Sequence, residues 1–146
     1  MNIHRQLIFL FLLLLFTSCS SKKNTLNPTG TYHYNFENQN EYNAILLVKQ
    51  EDRDSINVSF DLSTGAPYYH VGQFQAILPY ENNKAVYGPL EIDSTCRIEL
   101  NFDSLGVSFR QIFQENMTGY NCGFGATAYA DSLYMNKVSS EIPAIE

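Results

Sequence analysis

In Ser55-Ile56-Asn57-Val58-Ser59-Phe60-Asp61-Leu62 every second residue is apolar. Side chains alternate between the two faces of an extended chain, so Ile56, Val58, Phe60 and Leu62 share one face and Ser55, Asn57, Ser59 and Asp61 the other. This is the pattern of a strand with one face in a core and one in water. Turn formers bracket it: Glu51-Asp52-Arg53-Asp54 before, Ser63-Thr64-Gly65-Ala66-Pro67 after.

The same period runs outward in both directions. Tyr32, Tyr34 and Phe36 alternate with Thr31, His33 and Asn35, and Asn38-Gln39-Asn40 turns the chain. Tyr42, Ala44, Leu46 and Val48 form the next set, with Ile45 and Leu47 making this strand apolar on both faces. Downstream, Phe74, Ala76 and Leu78 run to Pro79, and Glu81-Asn82-Asn83 turns into residues 84–87. Cys96, Ile98, Leu100 and Phe102 face inward against Thr95, Arg97, Glu99 and Asn101. Asp103-Ser104-Leu105-Gly106 leads into Val107, Phe109, Gln111 and Phe113. Ala126, Ala128 and Ala130 alternate with Thr127 and Tyr129, and a last strand covers 134–137. About eight short strands joined by turns predict an all-β fold: a small antiparallel meander closing into a barrel, with a sandwich as the alternative. No segment after residue 18 carries a helical stripe.

The N-terminus differs in kind. After one firm positive charge at Arg5, residues 7–16 are all Leu, Ile or Phe. Crossing a bilayer takes roughly 20 apolar residues; a run of this length fits the core of a secretory signal peptide. Leu15-Phe16-Thr17-Ser18-Cys19 follows, with small residues before a cysteine. The stretch resembles the lipobox of bacterial lipoproteins, with Phe16 where that family usually has leucine. The resemblance implies that the Cys19 thiol receives a diacylglycerol and that cleavage leaves Cys19 as the N-terminus. Ser20, which is not Asp, implies the outer membrane in proteobacterial sorting, and Ser21-Lys22-Lys23 lacks an acidic export tag, which points to the periplasmic face.

The expected organisation is therefore a signal peptide at 1–18, a lipidated polar tether at 19–29 and one β-barrel domain at 30–146. With Cys19 lipidated, Cys96 and Cys122 remain, and in an oxidising compartment two such cysteines are expected to form one disulfide. A metal or redox pair lacks both a close CxxC spacing and a nearby His.

Residues 30–146 carry six Lys/Arg against fifteen Asp/Glu, a formal charge of −9. Such a surface repels nucleic acid and anionic lipid and favours basic partners, besides keeping the domain soluble. There is no Trp, and all ten Tyr fall in this domain, where their rings serve as core or as binding surface.

No catalytic constellation emerges, and no cofactor or metal is expected. His33 and His70 lack further ligands at strand spacing. Glu51, Asp52 and Asp54 share a turn without the glycine and distant Glu of an EF-type calcium loop. Ser63, Ser94 and Ser108 lack a nucleophile-elbow context. Asp61 and Glu99 face outward with no partner evident in the sequence. The two glycosylation-type sequons, at Asn57 and Asn116, are read as chance.

Gly30-Thr31-Tyr32 is similar to the opening of lipocalin-like barrels, with Tyr for their usual Trp. Cys122-Gly123-Phe124-Gly125-Ala126 with Ala130-Asp131-Ser132-Leu133-Tyr134 resembles the closing strands of small secreted β-barrel lipoproteins, some related to lysozyme inhibitors, with Ser132 where Gly is expected. These pieces imply fold more than function, and no inhibitory residue carries over. The expected function is a non-enzymatic, lipid-tethered envelope module that binds a protein partner or a small apolar ligand; the alternative is an inhibitor of a basic wall-degrading enzyme such as lysozyme. A hollow barrel places the ligand among inward Tyr and Phe, whereas a filled one places binding on the loops. The candidate loops are 64–71, with Tyr68, Tyr69 and His70, and 114–121, with Tyr120.

Overall fold

The computed structural model describes residues 26–35, 42–88, 95–112, 122–125 and 128–145. Expectations placed on Cys19, Phe36, the 38–40 turn, Phe113, the 114–121 loop with Tyr120, and Ala126 lie outside these residues. Eight strands form: β1 (Gly30–Asn35), β2 (Tyr42–Gln50), β3 (Ser55–Thr64), β4 (Val71–Pro79), β5 (Lys84–Tyr87), β6 (Arg97–Phe102), β7 (Gly106–Ile112) and β8 (Tyr134–Ser139). All pairings are antiparallel and run in the order β4-β3-β2-β1-β8-β7-β6-β5. The result is the expected meander, curled into a nearly closed barrel and consistent with a lipocalin-like fold.

The first and last strands meet in the middle of the ladder, so the seam falls between β4 and β5, which are neighbours in sequence. Three things close it. At one end the chain turns from β4 into β5 through Asn82 and Asn83, both at positive φ, with Glu81 and Lys84 bonded to each other across the turn. Further along, the Phe74 and Tyr87 rings stack with centroids 4.1 Å apart. At the other end the Gly125 N–H donates to the Val71 carbonyl on the edge of β4. Cys122, three residues before Gly125, bonds to Cys96 just ahead of β6, with Cα atoms 5.2 Å apart. The disulfide thus ties a patch on β4 to the far side of the seam.

The alternation read in the sequence is the alternation that builds the core. Leu46, Val48, Ile56, Val58, Ile98, Leu100, Val107 and Met135 all have 0 % exposure. Zero accessible area means that no water-sized space adjoins these side chains, so where they line the barrel its interior is filled. Phe60 is the hub, with its ring centroid 5.0 Å from Phe109, 5.2 Å from Phe74 and 6.1 Å from Phe124. Toward the other end Phe102 meets Tyr32 and Tyr80 edge-on.

One sequence expectation needs correction. Of the alanine segment, the described residues 128–130 form no strand: the Ala128 N–H turns back onto the Gly125 carbonyl, and the Ala130 N–H donates to Gln111 Oε1. With its amides satisfied by a turn and a side chain, the segment has no need of a ladder, and Ala128 and Ala130 are small enough to be buried against the sheet. The packed body also begins before Gly30. Leu26 N–H donates to Asn83 Oδ1, Tyr80 Oη to the Leu26 carbonyl, Tyr32 Oη to the Pro28 carbonyl, and Gln50 N–H to Thr29 Oγ1. Residues 26–29 therefore cross the barrel end that carries the 51–54 and 80–83 turns. Gly30 makes this entry possible: its φ is 151°, and a Cβ there would stand 2.2 Å from the Ser139 carbonyl oxygen.

Candidate binding turn

The β3–β4 hairpin ends in residues 65–70, the first of the two candidate loops. Its base is closed twice. Thr64 N–H donates to the His70 carbonyl at 2.8 Å, and His70 N–H returns to Thr64 Oγ1 at 2.9 Å. Thr64 is itself buried, so core packing fixes the residue that holds the turn. Inside it, Tyr69 N–H reaches the Gly65 carbonyl, the Ala66–Pro67 peptide is cis, and Tyr69 has a φ of 48°.

The closed base presents the two rings to solvent: Tyr68 is 70 % exposed and Tyr69 67 %. Their environment contrasts with Tyr32 and Tyr80, which the core buries. These four tyrosines thus divide into core and display, a division that follows from position in the fold rather than from residue type. His70 lies between, its ring 5.9 Å from Tyr68 and its Cβ against Gly125. The disulfide-held segment therefore buttresses the turn. Phe124 lies over Gly72, where a Cβ would come within 2.6 Å of its ring.

Below the turn, the outer face of the hairpin carries Asp61 and Gln73 directly opposite each other. The Gln73 amide donates to Asp61. Across the barrel Glu99 faces Arg110 at 3.6 Å, in equivalent register on β6 and β7. Sequence reading left both acids without partners; counting back from the two hairpin turns would have found them, because hairpin loop length fixes register.

The acidic turns sit at the opposite end. Asp52 is held below the ordinary carboxylate range chiefly by the Asp54 backbone N–H, and then by the Ser55 side chain. Asp103 is lowered chiefly by the Leu105 N–H, with the Gly106 N–H and the Tyr134 hydroxyl adding to it. Both carboxylates organise turns. Among the described residues, no three His, Cys, Asp or Glu gather as metal ligands would, and every buried side-chain polar atom has a hydrogen-bond partner.

Fold and site together define a small filled antiparallel barrel with an aromatic turn displayed on a fixed base. No protein-family model, curated protein or solved structure matches the chain.

Proposed function

We propose that this protein is a lipid-tethered, non-catalytic binding module of the cell envelope, exported and cut before Cys19, and that the 65–70 turn is where it meets its partner. The observation that carries the reading is the exposure of Tyr68 and Tyr69 on a doubly closed hairpin at the barrel end opposite the one crossed by residues 26–29. Two or more acyl chains at Cys19, each contributing about 0.8 kcal/mol per buried methylene, hold a protein stably on a membrane. The seven residue-to-residue steps from Cys19 to Leu26 reach at most ~25 Å. A tether that short keeps the end with the 51–54 and 80–83 turns near the bilayer, here the periplasmic face of the outer membrane, and leaves the tyrosines pointing away. Tyr suits such a surface because a large ring contacts a partner at low cost in side-chain entropy.

The filled interior favours a partner at the surface over an apolar ligand within. The charge of −9 supports a second reading, inhibition of a basic wall-degrading enzyme such as lysozyme.

The test replaces Tyr69, and separately Ser104 at the other end, with a photo-cross-linking residue in the full chain expressed in its own envelope. The reading expects a discrete adduct from position 69 and none from 104, and loss of membrane association in Cys19→Ala. Equal cross-linking from both ends, or none from position 69, overturns it.

A further inference from the structure

The outer face of the same hairpin narrows the partner's chemistry. Outward positions on β3 are Ser55, Asn57, Ser59, Asp61 and Ser63; on β4 they are Val71, Gln73, Gln75, Ile77 and Pro79. One of the ten is charged, although the domain as a whole is strongly acidic. The outward residues of β5 to β7 differ: Lys84, Arg97, Glu99 and Arg110 are among them. The hairpin therefore offers mainly amides and hydroxyls, with Val71 and Ile77 exposed among them, where β5 to β7 offer ions.

These groups are ordered. Ser63 stands opposite Val71, Asp61 opposite Gln73 and Ser59 opposite Gln75, in a ladder that begins directly below the turn bearing Tyr68 and Tyr69. The Gln73 amide nitrogen donates to Asp61 Oδ1, which ties the two planar groups to each other on the outer face. From the Asn57 row to the Ser63 row is six residues of strand, roughly 20 Å.

We infer that this hairpin face, from Asn57 up to the Tyr68–Tyr69 turn, is a binding site for a neutral oligosaccharide chain. A sugar ring has an apolar C–H face and a rim of hydroxyls. The first stacks on an exposed aromatic ring and the second takes paired hydrogen bonds from planar carboxylate and amide groups. The hairpin supplies both in one line, at the length of a short oligosaccharide. A protein partner of ordinary composition brings charges that this face has little to pair with; an uncharged glycan brings none. The inference rests on the turn being the contact surface, as proposed above.

The experiment titrates the detergent-solubilised full chain with chitotetraose and maltotetraose, and with dextran sulfate as a charged control, by calorimetry and tyrosine fluorescence. With no Trp in the chain, intrinsic emission reports the tyrosines. Expected are binding of at least one neutral tetrasaccharide that is unchanged between low and high salt, and no stronger binding of dextran sulfate. The Tyr68→Ala/Tyr69→Ala double variant and Asp61→Ala should each bind about tenfold more weakly, while Lys84→Ala binds normally. Thermal midpoints of all variants establish that they are folded. If neither neutral sugar binds, or if affinity survives in the tyrosine variant, the inference is wrong. The cross-link at position 69 then separates the two levels: a protein adduct there leaves the binding module standing with a different partner, and no adduct removes both.

Discussion

Phe60 shows how much one residue of the alternating stretch determines. Its ring is in reach of Phe74, Phe109 and Phe124, so Phe60→Ala removes the group on which three others pack. Deleting a buried aromatic ring costs about 3–5 kcal/mol, and urea denaturation of the variant should show a loss in that range. Tyr32 and Tyr80 set a pH dependence. Burial pushes the Tyr80 phenol up to about 12, and burial, followed by the charges of Tyr80 and Asp103, raises Tyr32 as well. The folded state thus holds these protons more tightly than the unfolded chain, whose tyrosines titrate near 10. Stability from this source is complete below about pH 10 and is lost as pH rises through the folded values. In an alkaline series of thermal midpoints, the wild type should be flat to about pH 10 and then fall, and Tyr80→Phe should fall less steeply.

At the scale of elements, the seam decides which parts open first. The β4 and β5 edges share no ladder; a ring stack, the 80–83 turn and the 122–125 segment hold them together. The disulfide closes a separation of 26 residues, for which the chain-entropy account gives about 3–4 kcal/mol. Cys96→Ala/Cys122→Ala should lose about that much in denaturant, and amide exchange should quicken first at Gly125 and along β4, while β1 to β3 stay protected. Similar loss of protection in all strands would mean that the bridge acts on the unfolded chain alone. Gly72→Ala probes the same place from inside, because its methyl meets the Phe124 ring; it should destabilise the protein even though it adds a single carbon.

For the molecule as a whole, the filled interior and the two unlike ends make separate predictions. Purified without denaturant, the protein should give a native mass with no companion of small-ligand size, and hydrophobic dyes should not bind the folded state. A ligand lost on denaturation would contradict the packing around Phe60. Substitution of Tyr68 and Tyr69 by Ala should leave stability within about 0.5 kcal/mol of wild type, since exposed positions away from caps and cores change little.

The all-β class, the strands from β1 to β8 and the inward faces of β1 to β4, β6 and β7 were legible in the sequence, because side-chain alternation is a local property of an extended chain and turn residues mark its breaks. The pairing of Cys96 with Cys122 was legible by elimination, once Cys19 was assigned to lipid. The exposed aromatic turn could be named, since Gly65, Ala66 and Pro67 break the strand just before Tyr68. Other features needed the tertiary structure, because they depend on which distant segments meet. Ala128 and Ala130 alternate like a strand, yet the Gln111 side chain and a turn take their amides. Leu26 and Pro28 read as tether, yet Tyr80 and Tyr32 hydrogen-bond their carbonyls. Whether the barrel is hollow depends on how side chains from opposite walls meet, and no local pattern records that. Closure at β4–β5, the filling of the core and the Asp61–Gln73 pair all arise from through-space packing and register, which a linear chain acquires only when it folds.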